Sequence, residues 1–260
     1  MSTVINRQHL KELRAKEEQR FLDTHKKSAA AFEDSKKVMH EGVPMSWMAK
    51  WPGGFPVYVA SAKGSHFTDV DSIDYVDFCL GDTGAMVGHA PDASVRAIQA
   101  QAAKGLTFML PTDDAEVVAT TLAERFGLAK WQFTLTATDA NRHILRYSRH
   151  VTGRQKIAVH DYCYHGTVDE TFAVMDDNGQ TVARHDNIGK PVELNHTTVV
   201  IPFNDLEAAE KAFATGEVAA MLMEPALTNI GIVLPEPGYL EGMQALCRKY
   251  EVILILDETM

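Results

Sequence analysis

At 260 residues and 45% hydrophobic content, the chain can bury a sizeable core, as one large domain or as one domain with an appendage. Its formal net charge of -10 argues against nucleic-acid backbones and anionic membranes as partners. No apolar run approaches a membrane span, the opening MSTVINRQHL lacks the apolar core of a signal peptide, and three widely spaced cysteines (Cys79, Cys163, Cys247) make no disulfide framework, so reduced thiols in the cytoplasm are expected.

Residues 6 to about 38 are rich in Lys, Glu, Arg, Gln and Ala, with Leu10, Leu13, Phe21 and Phe32 as sparse apolar contacts. They predict one or two largely solvated helices, which either cover a partner subunit or fray as a charged extension. From 42 to 64, Pro44, Pro52, Gly53, Gly54 and Pro56 predict irregular chain. Trp47, Met48 and Trp51 are too apolar for a plain linker and are expected to pack on the body or line a pocket. Residues 66–80, HFTDVDSIDYVDFCL, alternate polar and apolar side chains around an Asp-Ser turn, as a hairpin with exposed carboxylates does. Asp69, Asp71 and Asp74 superficially match a calcium loop. Ile73 in the fifth, liganding position and Asp74 in place of the required glycine exclude it.

Strand and helix then alternate. Helical spacing occurs at 92–104, 113–125, 139–151, 206–214 and 238–250, and short apolar runs lie at 131–135, 156–160, 197–202, 219–223 and 252–256. Such runs suit strands buried on both faces. Separated by helices, they predict an α/β fold with a mainly parallel sheet.

The run 131–135 enters a small-residue turn, Thr136, Ala137 and Thr138, and a helix follows. Asp139 sits in its first turn while Arg142, Arg146, Arg149 and His150 gather toward its far end, the polarity a helix dipole favours. Hydroxyls facing unpaired first-turn N–H groups make an anion site suited to a phosphate; the alternative is that Thr138 merely caps the helix. After Gly153, the run 156–160 delivers Tyr162, Cys163, Tyr164, His165 and Gly166 to the edge where a parallel sheet binds ligands. His160, Cys163 and His165 make no metal site, because strand alternation splits them between faces and a fourth ligand is missing. Glu224-Pro225 ends the run 219–223, which leaves Glu224 at the same edge or marks a plain strand terminator. The run 252–256 delivers Asp257, Glu258 and Thr259, and a carboxylate ending so apolar a strand is costly to bury without a cationic or donor partner.

These stretches resemble the class III aminotransferases, pyridoxal-phosphate enzymes of fold type I. The family pattern Ser-Gly-Thr/Ser-Glu-Ala-Asn is matched by Thr136-Ala137-Thr138-Asp139-Ala140-Asn141, with Ala137 for the usual Gly and Asp139 for Glu. Thr152-Gly153-Arg154, Tyr164-His165-Gly166, Glu224-Pro225 and Asp257-Glu258-Thr259 match further on. Upstream, Asp69-Val70-Asp71, Tyr75-Val76-Asp77-Phe78 and Gly88-His89 match, with Ser72 replacing a Gly. The resemblance covers roughly residues 42 to 260, and Pro52-Gly53-Gly54, Gly64 and the Gly88-His89 turn look most like the glutamate-1-semialdehyde aminomutase branch.

The resemblance implies an α/β fold, a mainly parallel sheet flanked by helices, as an incomplete fold type I large domain with an N-terminal helical segment and hairpin. Residues 1–41 would be the charged helical segment, 42–91 the irregular segment and hairpin (part of a small domain and pocket), and 92–260 the cofactor-binding domain. It further implies that pyridoxal phosphate places its phosphate at Thr136, Ala137 and Thr138. Tyr164 would stack on the ring, with Thr259 near the other face. Asp257 would keep the ring nitrogen protonated, His165 would support the loop or Asp257, and Glu224 would stand at the cofactor's edge. Trp47 and Asn229 would line the substrate pocket. The family's Schiff-base lysine lies beyond the Asp-Glu-Val/Thr strand, and Lys156 and Lys249 read as solvated side chains, so these 260 residues alone are expected to be inactive. Implied partners are a small-molecule amino donor and acceptor, and a second subunit in a homodimer of the full-length protein. Three readings follow: an aminotransferase or aminomutase; a non-catalytic fragment that binds cofactor or dimerises; and a nucleotide-binding α/β protein, which lacks support because no Gly-x-Gly-x-x-Gly or Gly-Lys-Ser/Thr turn follows a strand.

Overall fold

In the computed structural model, which describes residues 5–50, 52–185 and 187–259, the chain divides into two units, residues 1–111 and 112–260. Among the described residues no helix is long and apolar enough to cross a membrane.

In the first unit, Asn6 caps α1 (Arg7–Thr24) by accepting from the His9 amide at 3.0 Å. Charged all round, α1 buries no residue. His25 separates it from α2 (Lys26–Ser35), so the charged segment forms two helices. Phe21 and Phe32 supply its apolar contacts, both against Phe55, at 4.9 and 6.5 Å between ring centroids. Strands β1 (Val59–Lys63), β2 (His66–Asp69) and β3 (Asp74–Val76) form an antiparallel sheet in that order. The β2–β3 hairpin matches the sequence reading, but its carboxylates are not simply exposed. Asp69 is buried and accepts from the Tyr75 hydroxyl at 3.0 Å and the Ile73 amide at 2.8 Å. Asp71 accepts from the amides of Lys27 and Ser28 at 2.7 and 2.9 Å, capping α2 from across the turn. Only Asp74 of the three is exposed. Met48 lines a shallow cavity with Phe32, Val43 and Phe55, whereas Trp47 sits half-exposed in the 3-10 turn Ser46–Lys50. Trp51 lies outside the described residues. Helix α3 (Asp92–Ala102) follows.

The second unit opens with α4 (Asp113–Phe126) and α5 (Ala137–Thr152). The parallel sheet contains β4 (Lys156–His160), β7 (Thr198–Ile201), β8 (Val218–Met223) and β9 (Ile253–Leu256), in the order β7-β4-β8-β9. A small antiparallel pair, β5 (Ala173–Met175) and β6 (Thr181–Ala183), lies between β4 and β7 in the chain. Every residue of β8 is buried, as its unbroken apolar run predicts. One face of the sheet packs Ile157, Val159 and Leu222 with Leu145 of α5. The other packs Ala158, Met221 and Met223 with Phe213 of α6 (Leu206–Phe213) and Met243 of α7 (Tyr239–Lys249).

One expected strand does not form. Residues 131–135 are irregular, with Leu135 98% exposed and Phe133 56%. A strand's N–H and C=O groups need a neighbouring strand, and among the described residues no strand pairs with this run.

Candidate active site

Chain order gives the sheet a switch point. From β4 the chain goes on to β7 at one side of the sheet, and from β8 to β9 at the other. The crevice outside the carboxyl ends of β4 and β8 is therefore where an open α/β sheet takes its ligand. The loop after β4 and Glu224, directly after β8, both stand there.

Thr136, not Thr138, caps α5. Its hydroxyl accepts from the Asp139 amide at 3.1 Å and donates to the Asp139 carboxylate at 3.0 Å, so the helix begins at Ala137, two residues earlier than the spacing predicts. Thr138 is free of that duty. Its Oγ1 accepts from the Thr167 amide at 3.0 Å, which leaves its own hydrogen to donate outward. The first-turn amides of Ala137 and Thr138 have no intrahelical acceptor. Gly166, at φ +74°, lets the loop after β4 lie directly against Thr138.

Glu224 ties two loops together. One carboxylate oxygen accepts from the Tyr164 amide at 3.1 Å; the other accepts from the amide and hydroxyl of Thr228, each at 3.1 Å. Its contribution is thus to hold Tyr164, a residue that remains 42% exposed.

Asp257 continues β9, its amide donating to the Met223 carbonyl at 2.9 Å, and its side chain is only 8% exposed. Oδ2 accepts from Asn141 Nδ2 and His165 Nδ1, each at 2.9 Å. Oδ1 accepts from the amide and hydroxyl of Thr259, at 3.2 and 2.5 Å. Burial by itself raises a carboxyl group, but the hydrogen bonds from His165, Thr259 and Asn141 outweigh it and hold Asp257 well below the usual carboxylate range. Of the two supports open to His165, the geometry selects Asp257.

Asn141 had no role in the sequence reading beyond its place in the motif. The signal was present: Asn141, Leu145 and Ser148 form the buried stripe of α5, and a polar residue on a buried stripe needs a partner. Asn229 is exposed in a loop and bridged to Gly231, directly after Thr228, which donates to Glu224. Trp47 belongs to the first unit. His160 turns away to Tyr239, Nε2 to hydroxyl 2.7 Å, with Phe203 edge-on at 4.8 Å; burial drives its pKa down to about 3, so it is neutral. Burial likewise pushes the Cys163 thiol up to about 12.

A donor-rich helix start, a half-exposed aromatic ring and a fixed anion therefore share one crevice. They suit a ligand that carries an anionic group, a flat ring and a basic nitrogen, and such a crevice on a parallel sheet defines an open α/β fold of the ligand-binding kind. Residues 47–260 match the family model "Aminotransferase class-III", and the chain belongs to that family. It is similar to the glutamate-1-semialdehyde 2,1-aminomutase of Anaeromyxobacter dehalogenans, 35% identical over 237 residues, which cover 90% of this chain and 55% of the relative. Among solved structures, a glutamate-1-semialdehyde-aminomutase from Pseudomonas aeruginosa superposes with a TM-score of 0.93 at 45% identity, covering 96% of this chain and 55% of that one. A second structure of that enzyme is in complex with PMP. An omega-transaminase from Sphaerobacter thermophilus gives a TM-score of 0.83 at 30% identity, covering 90% and 55%. The chain thus spans about half the length of the relatives it matches.

Proposed function

We propose that the polypeptide carrying this sequence is a pyridoxal-phosphate-dependent aminotransferase, moving an amino group between an amino acid or amine and a keto acid or aldehyde. The observation that carries this reading is the Asp257 carboxylate, held ionised by three donors at the tip of an apolar strand, beside a helix start open to an anion. The residues present fit the cofactor. Thr138 and the amides of Ala137 and Thr138 offer donors to its phosphate, and Tyr164 offers a ring face. Asp257 offers a fixed negative charge to its ring nitrogen. When bound, pyridoxal phosphate supplies an electron sink, which works best with that nitrogen protonated. Asp257 keeps the proton there, the Asn141 and His165 donors keep Asp257 ionised, and Glu224 keeps the Tyr164 loop in place.

The aminomutase relatives favour a specific variant, in which donor and acceptor carbons belong to one molecule. Domain roles follow the same reading: residues 42–91 contribute to the pocket with Trp47, Asn229 borders the substrate, and the whole protein works as a cytoplasmic homodimer. None of the site motifs contributes a lysine. Lys156 pairs with Glu217 and Lys249 with Glu210, both at the strand ends opposite the crevice. Residues 1–260 by themselves are therefore proposed to bind cofactor without turnover.

The test is single-turnover amino transfer by the full polypeptide, with glutamate-1-semialdehyde or with an amino donor and a keto acid. Asp257→Ala is expected to slow it by at least a hundredfold, roughly the 3 kcal/mol of a lost charge-assisted contact, with the fold intact by circular dichroism. Survival of the rate overturns the role of Asp257. No transfer from any donor by the unaltered protein overturns the activity.

A further inference from the structure

Asp257 has two oxygens, and the protein treats them differently. Oδ2 accepts from two buried donors, Asn141 Nδ2 and His165 Nδ1, both at 2.9 Å, on residues only 6% and 1% exposed. The Asn141 amide has only one sensible orientation, because its second neighbour is the His165 carbonyl at 3.3 Å and both neighbours can only accept. Among the described residues, Oδ1 accepts only from Thr259, an exposed residue two positions further on. A carboxylate has about four lone-pair positions. The two on Oδ2 cannot be released without leaving a buried amide or imidazole unpaired, whereas the Thr259 hydroxyl can turn to water at little cost.

We infer that Asn141 is a positioning residue which, together with His165, fixes the Asp257 carboxylate so that Oδ1 is the oxygen offered to the cofactor's ring nitrogen, with the Thr259 hydroxyl as its displaceable partner. This rests on the proposed function and assigns a residue that acts through Asp257 rather than touching the reacting atoms. Without Asn141, Oδ2 keeps a single side-chain donor and the carboxylate can rotate about its Cβ–Cγ bond. The loss then falls on recognition of the ring nitrogen, not on the phosphate turn.

The experiment compares two reversible ligands on the full polypeptide: pyridoxamine 5′-phosphate and its 1-deaza analogue, which keeps the phosphate but has carbon in place of the ring nitrogen. Dissociation constants are read by calorimetry for the unaltered protein and for Asn141→Leu. Expected is a preference of the unaltered protein for the nitrogen-bearing ligand. Asn141→Leu should cut that preference about tenfold, or about 1.4 kcal/mol, while binding of the deaza ligand stays within about twofold. If both ligands weaken together, Asn141 is merely structural and the inference fails; it also fails if neither changes. If the unaltered protein binds both equally, Asp257 does not meet the ring nitrogen. If it binds neither, the proposed function falls, and this inference with it. Asn141→Ser, too short to reach Asp257, replaces the leucine variant if that one does not fold, as judged by its thermal midpoint.

Discussion

A Cβ on Gly166 would stand 2.1 Å from the Thr138 hydroxyl oxygen, and the residue's φ of +74° lies where side chains are strained. Gly166→Ala is expected to cost about 2 to 4 kcal/mol, from left-handed strain together with overpacking, and to loosen the hold of Thr138 on the Thr167 amide. Urea unfolding checks this, and a loss below about 1 kcal/mol means the loop shifts freely. His160 gives a pH dependence. Its folded pKa, about 3, lies below the ordinary 6.5, so the unfolded chain binds the proton more readily. Its contribution to stability is complete above pH 6.5 and is lost as pH falls toward 3, at up to about 1.4 kcal/mol per unit. Urea midpoints between pH 6.5 and 4.5 should fall more steeply in the unaltered protein than in His160→Gln; parallel slopes count against a buried neutral imidazole. The placement of the main candidate-site residues was legible because their types are unusual for where they sit: hydroxyls before a helix, a carboxylate after an apolar strand. What sequence could not supply was the division of labour, since Thr136 and Thr138 are equivalent until one of them caps α5 and the other meets Thr167.

Among the elements, buried strands were legible and strands that depend on neighbours were not. The apolar runs behind β4, β7 and β8 mark largely buried strands, and each forms, as does β9, which stands at the sheet's edge and is only partly buried. The run 131–135 looks the same in sequence, yet strand formation is decided by pairing, and it has no strand partner among the described residues. β1 was missed for the converse reason: Val59–Lys63 has weak alternation and exists because β2 pairs with it. Asp69 and Asp71 were misjudged as exposed because their partners, Tyr75 and the start of α2, are set by tertiary packing. Arg154 shows how an element-level tie arises from a short motif. Gly153 ends α5 in the left-handed conformation, and the next residue sends Nη1 to the carbonyls of Val218, Tyr250 and Glu251 at 3.1, 2.9 and 3.1 Å. One cation thereby joins the start of β8 to the carboxyl end of α7, where the helix dipole favours positive charge. Arg154→Ala is expected to destabilise the second unit by about 2 kcal/mol, the scale of hydrogen bonds to a charged group, with Arg154→Lys intermediate because it lacks the planar fork. Denaturant midpoints check the order; an alanine variant as stable as the lysine one contradicts it.

For the molecule as a whole, apolar surface and net charge pull in opposite directions. Leu135 is 98% exposed and Met109 99%, while β9, outermost in its sheet, has an edge that no strand of the described residues pairs, with Leu256 half-exposed. A free strand edge beside apolar side chains is a template for pairing with another chain. The net charge of -10 repels copies of the chain from one another, but over a distance that shrinks to about 8 Å at physiological ionic strength and about 3 Å at 1 M. Contact between apolar patches is not screened in this way. The 260 residues expressed by themselves are therefore expected to self-associate, and to do so more strongly as salt rises, opposite to the trend for an assembly held by ion pairs. Sedimentation velocity across protein and salt concentration reads this out, together with binding of a hydrophobic dye. Leu135→Lys should lower the average mass and the dye signal while leaving the urea midpoint within about 0.5 kcal/mol, because an exposed side chain contributes little to folding. A species of 28.7 kDa at every concentration and salt, without dye binding, would mean that these apolar surfaces find cover within the chain itself.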